Sequence, residues 1–137
     1  MQMKELMKSN IYDVADTIVI VGSCLKSMDT AAYARLEEMS SNIYDVCLEE
    51  THINMVITKI GGMLRTKRVR KIIFATVDRS PHCTQLHYVQ EELRKMMNLD
   101  NILIENFVAV DGELLSIAHD TITLSKNLAK LESLNKG

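Results

Sequence analysis

Residues 69–84 read VRKIIFATVDRSPHCT and contain the clearest junction between a strand and a helix in the chain. The first part, 69–77, is rich in β-branched and aromatic side chains, which predicts a buried strand. Ser80 is a preferred N-cap, and Pro81 suits the first helical position because the N–H that it lacks has no helical partner there. We therefore predict a helix over 82–97, directly after the turn.

The remaining elements are predicted from apolar periodicity for helices and from β-branched runs for strands. They are strands over 17–21, 102–110 and 113–117, and helices over 3–8, 30–39, 51–67 and 121–134. The Asp111-Gly112 pair is a hairpin signal, so the last strand is expected to be antiparallel. The alternation of strands with helices predicts the α/β class: a single domain over residues 1–137 with a mostly parallel sheet, flanking helices and a C-terminal antiparallel hairpin strand.

Composition and charge exclude several classes of protein. The 18 acidic and 16 basic residues give a formal net charge of −2, so no overall positive field attracts nucleic acid, although 65–71 form a basic segment. No apolar run reaches the roughly 18 residues that a membrane helix requires. Charges at Lys4, Glu5 and Lys8 interrupt the region where a secretory signal would be apolar. We expect a cytoplasmic protein that binds neither membrane nor nucleic acid.

The cysteines and one short repeat complete the survey of motifs. Cys24, Cys47 and Cys83 are widely spaced and form no CxxC pair, so we expect reduced thiols rather than a disulfide framework or a zinc ribbon. The hexapeptide SNIYDV occurs at both 9–14 and 41–46. Its alternation of apolar and polar residues is consistent with entry into a strand, and it predicts no function.

The candidate site lies at the turn after the strand over 69–77. In open α/β sheets, ligands bind outside the carboxyl ends of parallel strands, where loops and helix N-termini converge. Cys83 would be the third residue of the helix, where the helix dipole and free N–H groups favour a thiolate. We predict Cys83, His82 and Asp78 as catalytic candidates: a low-pKa thiol, an ionisable neighbour and an orienting carboxylate. The alternative is an inert cysteine packed among the apolar residues of its helix.

The ligand-binding candidates surround the same turn. They are Ser80, Arg79, Gly22, Ser23 and Cys24. The last three follow the strand over 17–21, and they face the same crevice if that strand neighbours 69–77. Two convergent thiols would suit reversible thiol chemistry or a bridging ligand. No GxGxxG or GxxxxGK[ST] motif is present, so neither dinucleotide nor P-loop binding is predicted.

A metal site is the alternative chemistry for this helix. Cys83 and His87 are four residues apart, the spacing at which two side chains can hold one ion. The further ligands of such a site would come from Cys24, Cys47, His52 or His119. The spacing of these residues matches no zinc-finger or iron–sulfur motif, and the sequence specifies no cofactor. If His87 is not a ligand, its position off the apolar stripe places it at the surface.

Two hypotheses of different classes follow. The first is a small cytoplasmic α/β protein with a thiol and imidazole site for redox chemistry, a metal or a small-molecule ligand at the carboxyl ends of its strands. The second is a non-enzymatic interaction or regulatory subunit, either a homo-oligomer or a module for a protein partner. It would use the basic segment, the methionine-rich N-terminus or an edge strand. Only the first hypothesis requires a thiol with special chemistry. We also expect the protein to form a homo-oligomer.

Overall fold

The computed structural model describes residues 4–136, in which strands alternate with helices. The strands are β1 Lys4–Glu5, β2 Asp16–Gly22, β3 Ile43–Val46, β4 Val69–Val77, β5 Leu103–Val110 and β6 Glu113–Ser116. The α-helices are α1 Leu25–Met28, α2 Thr30–Met39, α3 Ile53–Arg65, α4 Pro81–Thr84, α5 Val89–Met96, α6 His119–Ser125 and α7 Leu128–Lys136. Two 3-10 turns cover Leu6–Lys8 and Gln85–Tyr88.

The described strands form one sheet in the order β1-β3-β2-β4-β5-β6. The strands β1 to β5 run parallel to their neighbours, whereas β6 pairs antiparallel with β5. Asp111 and Gly112, both at positive φ, make the turn between β5 and β6. The structure therefore confirms the predicted α/β class, including the C-terminal hairpin strand.

The central strands β2 and β4 are covered on both faces. In β4, Ile72 and Phe74 point to the core beneath α3 and α5, whereas Ile73 and Ala75 point to the core beneath α1 and α2. Side chains alternate between the two faces of a strand, so a strand buried on both faces is mostly apolar. This explains the apolar run Ile72 to Val77 of β4, in which Thr76 is the one polar residue.

The connections of the sheet diverge between β2 and β4. From β2 the chain passes through α2 to β3 on one side, and from β4 it passes through α5 to β5 on the other. The helices α2 and α5 also lie on opposite faces of the sheet. Such a reversal opens a crevice outside the carboxyl ends of the two strands, which is where ligands bind in open α/β sheets.

The strand β3 was not predicted as a separate element. It is formed by the second copy of the repeated hexapeptide, whereas the first copy lies in the loop before β2. The two copies contact each other, because the Tyr44 hydroxyl donates a hydrogen bond to the Asp13 carbonyl at 2.8 Å. Tyr44 is fully buried, so this hydrogen bond ties the N-terminal loop to the sheet.

Three of the predicted helices differ from the structure. The prediction of a helix over 3–8 is wrong for the residues that the structure describes. There, Lys4–Glu5 pairs with β3 and a 3-10 turn follows. Met1 and Met3 lie outside the described residues. The helix after Ser80 changes to a 3-10 turn before it continues as α5, and the last helix is divided into α6 and α7. No helix within residues 4–136 has the length and apolar character needed to cross a membrane.

Candidate functional site

A small cavity of about 30 Å³ lies at the carboxyl ends of β2, β3 and β4. Each of the three connections that follow these strands contributes one cysteine to its lining: Cys24 after β2, Cys47 after β3 and Cys83 after β4. These are all the cysteines of the chain. We call this cavity and its three cysteines the thiol crevice. The strand order thus brings Cys24 and Cys83 together, as the prediction required.

The Cys83 side chain packs directly on the backbone of Gly22. A Cβ atom built on Gly22 would lie well under 3.0 Å from the Cys83 Sγ atom. Only glycine therefore allows this sulfur to occupy its position. Ser80, the predicted N-cap of α4, also helps to hold Cys83 in place. Its hydroxyl accepts a hydrogen bond from the Cys83 N–H at 3.4 Å.

The surroundings of Cys83 do not favour a low pKa for its thiol. The residue is only 8% exposed, and this burial raises the pKa of its thiol. Negative charge on Cys24 and Cys47 would raise the pKa further. The helix α4 has only four residues, so its dipole is too small to offset desolvation. Cys83 is therefore a neutral, buried thiol.

Polar side chains line the mouth of the thiol crevice. His82 is 57% exposed, and its Nε2 atom lies 3.4 Å from the Glu49 Oε1 atom, which joins the connections after β3 and β4. On the opposite side, the Ser23 hydroxyl donates a hydrogen bond to Asp45 Oδ2 at 3.2 Å. Burial raises the pKa of Asp45, and the hydrogen bond from Ser23 opposes that shift.

Asp78 and Arg79 do not line the thiol crevice. They lie at a second, open cavity of about 420 Å³ outside the carboxyl ends of β4 and β5, together with Asp29 and Asp111. Arg79 has a φ of 70°, in the left-handed region, and the chain turns there between the two cavities. The structure thus separates Asp78 from the neighbouring His82 and Cys83, with which it was grouped.

His87 is buried and takes no part in the thiol crevice, so its expected place at the surface is wrong. Its Nδ1 atom lies 2.8 Å from Asn106 Oδ1, and its Nε2 atom lies 2.7 Å from Thr76 Oγ1. An amide oxygen can only accept, so Nδ1 carries the proton and Nε2 accepts from Thr76. Both ring nitrogens are therefore engaged, and the predicted metal pair of Cys83 and His87 is not formed.

The remaining polar contacts of this network are also buried. Asn106 Nδ2 donates to Gln90 Oε1 at 3.1 Å, and Gln90 Nε2 has no hydrogen-bond partner within the described chain. Burial lowers the pKa of His87, whereas the hydrogen bond with Asn106 raises it. The network joins β4, β5 and the helical segment between them, so its role is to hold these elements in place.

The part of the chain from residue 4 to residue 136 contains no group of three His, Cys, Asp or Glu side chains close enough together to hold a metal ion. The three cysteines line one cavity, but their sulfur atoms do not converge on one point. The thiol crevice is therefore a shared surface of thiols and not a preformed metal centre.

The fold and the crevice define the class of protein. A parallel sheet whose connections diverge at its centre, with helices on both faces, is the architecture of doubly wound α/β domains. Residues 14–136 match the family model of the Rossmann-like domain, and the chain belongs to this family. Neither the curated proteins nor the solved structures include a significant match to the chain.

Sequence reasoning did not predict Glu49 as a site residue, and it named Cys47 only as a possible further metal ligand. Both follow β3, the strand that was not predicted. The signal was present in the repeated hexapeptide, since its second copy alternates apolar and polar residues and Cys47 follows it directly. Once that segment is assigned as a parallel strand, Cys47 lies at a carboxyl end, as Cys24 does.

Proposed function

We propose that this protein binds a small thiophilic ligand in the thiol crevice. The observation that carries the proposal is that each of three adjacent parallel strands is followed by a cysteine that lines the same cavity. A ligand placed there would contact thiols from three different connections. This is the position at which open α/β sheets bind their ligands.

The geometry does not favour a dinucleotide as that ligand. In dinucleotide-binding domains of this architecture, glycines after the first strand let the pyrophosphate approach the backbone. Here the Cys83 side chain occupies the space over Gly22. The cavity is also far smaller than the several hundred cubic ångströms that a drug-sized ligand requires. A sulfur atom thus lies where a phosphate would be expected.

The state of Cys83 favours binding over catalysis. A nucleophilic or redox-active cysteine acts as a thiolate, and its microenvironment lowers the pKa of the thiol. Burial has the opposite effect on the pKa of Cys83. A neutral thiol can still become a ligand, because a thiophilic atom displaces its proton on binding. We expect the crevice to act in the reducing environment of the cytoplasm, where its thiols stay free.

Arsenite is a suitable probe, because As(III) exchanges its three hydroxyl groups for three thiolates and releases three molecules of water. Because the three sulfur atoms do not converge on one point, binding must draw them together. One equivalent of arsenite should then protect all three thiols of the chain from a thiol reagent. The matched control carries Cys47→Ser together with Thr58→Cys. Thr58 is exposed on α3, so this variant keeps three thiols but only two in the crevice.

The control should bind arsenite at least about tenfold more weakly, since one of three linked bonds is lost. Circular dichroism would establish that both proteins are folded. If the wild-type protein bound arsenite no more tightly than the control, or consumed one equivalent for each thiol, the three cysteines would not form a common site and the proposal would be wrong.

A second candidate function, association between copies of this chain, is favoured by α7. No residue of this nine-residue helix is buried, and Leu128, Leu131 and Leu134 are 76%, 36% and 60% exposed. A helix of this length is marginal in water without tertiary contacts. Pairing of two such helices in a twofold dimer would cover the leucines of both copies.

Light scattering tests this second function directly. The wild-type chain should have the mass of a dimer, and Leu131→Lys should reduce it to that of a monomer without loss of helix signal from the body of the protein. A monomeric wild-type chain at micromolar concentration would contradict the idea. Arsenite binding would be unaffected, so the two functions are separable.

A further inference from the structure

The opposite end of the sheet carries a larger cavity. It has a volume of about 500 Å³ and lies at the amino ends of β4 and β5, whereas the thiol crevice lies at the carboxyl ends of its strands. Its floor is apolar: Leu64 and Val69 belong to the core and are 2% and 4% exposed, and Met97 and Ile102 pack against the same core. A cavity of this size with a mainly apolar floor can hold a small organic molecule.

The exposed part of the lining is positively charged. It consists of Lys67, Arg70, Asn98 and Asn101, and no acidic side chain from residues 4–136 lines the cavity with them. Asn98 Oδ1 accepts a hydrogen bond from the Asp100 N–H at 2.9 Å, so the amide NH₂ is the group that Asn98 can offer to a ligand. Two cations and amide donors at one cavity are suited to bind an anion.

The cavity gives a role to part of the basic segment 65–71, which the thiol crevice leaves unexplained. Arg65 lies in the last turn of α3, where a cation interacts favourably with the helix dipole. Arg70 lies beyond that helix, and its Nε atom is 3.9 Å from Asp16 Oδ1, with the two side chains 87% and 84% exposed. Such an exposed ion pair contributes little to stability. Arg70 is therefore a cation that the fold does not require.

Lys67 occupies a backbone position that favours glycine. Its φ is 67°, in the left-handed region, and it directly follows Thr66, the C-cap of α3. Glycine is the usual residue at this position after a helix, because a side chain is strained in the left-handed conformation. Stability alone would favour glycine here, so the lysine is better explained by a role of its ammonium group at the cavity.

We propose that this cavity binds a small, soluble phosphate monoester that carries an apolar group. The phosphate would contact Lys67 and Arg70, whose planar guanidinium group can donate two parallel hydrogen bonds to phosphate oxygens. The charge of a phosphate monoester, about −1.5 to −2 at pH 7, matches the two cations. The apolar group would lie on the apolar floor. This site does not depend on the function proposed for the thiol crevice, which lies at the other end of the sheet.

The probe for this site is 1-naphthyl phosphate. The chain contains no tryptophan, so the fluorescence of the naphthyl group can be followed directly. We expect one molecule to bind per chain, and binding should weaken as the salt concentration rises. Inorganic phosphate and 1-naphthol each retain one half of the probe, and calorimetry should show that both bind at least about tenfold more weakly.

Two arginine variants provide a matched pair. Arg70→Gln should weaken binding of 1-naphthyl phosphate at least about threefold, because a direct ion pair is lost. Arg68→Gln removes the same charge two residues away from an exposed side chain that does not line the cavity, so its effect should be less than about twofold. Lys67→Gly should also weaken binding at least about threefold, yet the midpoint of urea denaturation should stay the same or rise, because glycine relieves the left-handed strain.

Several results would overturn the proposal. If inorganic phosphate or 1-naphthol bound as tightly as the probe, the cavity would not recognise both halves of the ligand. If Arg68→Gln weakened binding as much as Arg70→Gln, the probe would respond to the charge of the whole segment and not to a site. Co-sedimentation of the wild-type chain, but not of Arg70→Gln, with vesicles that contain phosphatidic acid would show a lipid headgroup as the ligand and overturn the assignment to a soluble molecule.

Discussion

The contact between Gly22 and Cys83 can be tested by substitution of either residue. In Gly22→Ala, the new methyl carbon would lie well under 3.0 Å from the Cys83 sulfur, whereas non-bonded heavy atoms normally approach to about 3.5–4.0 Å. The Cys83 side chain or the whole of α4 must move to relieve the overlap. Overpacking of this kind costs about 1–3 kcal/mol. For a chain of this size, the melting temperature should fall by about 3–5 °C for each kcal/mol.

The second substitution isolates the cause. Cys83→Ala removes the sulfur and leaves the Cβ atom of residue 83, which would be 3.5 Å from the new methyl carbon of residue 22, an ordinary contact. The φ of Gly22 is outside the left-handed region, so alanine there is not strained. In the Cys83→Ala background, Gly22→Ala should be neutral or stabilise the fold by about 0.4–1 kcal/mol, because alanine restricts the unfolded chain. The two substitutions should therefore couple by about 1–4 kcal/mol.

Urea denaturation of the wild type, both single variants and the double variant, under reducing conditions, measures this coupling energy. The m-values should agree, since the same surface is exposed on unfolding. If Gly22→Ala cost the same in both backgrounds, the sulfur would not lie over Gly22. The account of a thiol that takes the place of a phosphate would then lose its geometric basis.

Three further substitutions test polar contacts that hold the fold together. Asp29→Ala should lower the free energy of unfolding, measured in urea, by about 1–3 kcal/mol. The Asp29 carboxylate caps α2 by accepting a hydrogen bond from the Ala32 N–H at 3.1 Å, and it also accepts one from the Gly112 N–H at 3.0 Å. A loss below about 0.5 kcal/mol would contradict this. Thr76→Val should lower the free energy of unfolding by about 1–3 kcal/mol, because Nε2 of His87 would then be buried without a hydrogen-bond donor. An unchanged midpoint of urea denaturation would refute this prediction. The third substitution concerns His87, whose pKa is lowered by burial and whose hydrogen-bond partners are uncharged. Below about pH 6.5, His87 therefore binds a proton in the unfolded chain but not in the folded chain. Stability should therefore fall as the pH decreases from about 6.5 toward the lowered pKa, and His87→Gln should remove this part of the pH dependence; equal slopes for both proteins would contradict it.

Local chemistry explains which elements could be predicted. Ser80 and Pro81 begin α4 where the sequence places it, because capping depends on residues close together in the chain. The 3-10 turn that follows was not predicted, since it depends on tertiary contacts. There the neighbouring residues Leu86 and His87 are both buried, one in the apolar core and the other against Thr76 and Asn106. A polar network between two strands and a helix has no signature in a single sequence.

The candidate site was predictable only in part for the same reason. Cys24 and Cys83 could be located at the ends of strands, but their convergence depends on the pairing of β2 with β4, which is non-local. Cys47 was named only as a possible further metal ligand and not placed at a strand end, because β3 has only four residues and was not predicted. The depth of the Cys83 sulfur, and with it the direction of its pKa shift, follows from the packing of α4 on Gly22. Helix position alone suggested the opposite direction.

The position of a binding site in this fold and the chemistry of that site have different origins. The position follows from the topology, because the connections that follow β2 and β4 diverge to opposite sides of the sheet. The chemistry depends on the side chains at that opening, and the same architecture can host unrelated functions. Gly22, at the end of β2, has no side chain, so another group can pack directly against its backbone. In this chain that group is the thiol of Cys83. Membership of the Rossmann-like family therefore indicates where a ligand would bind, while the cysteines that follow three strands are the basis for the proposal that this ligand binds sulfur.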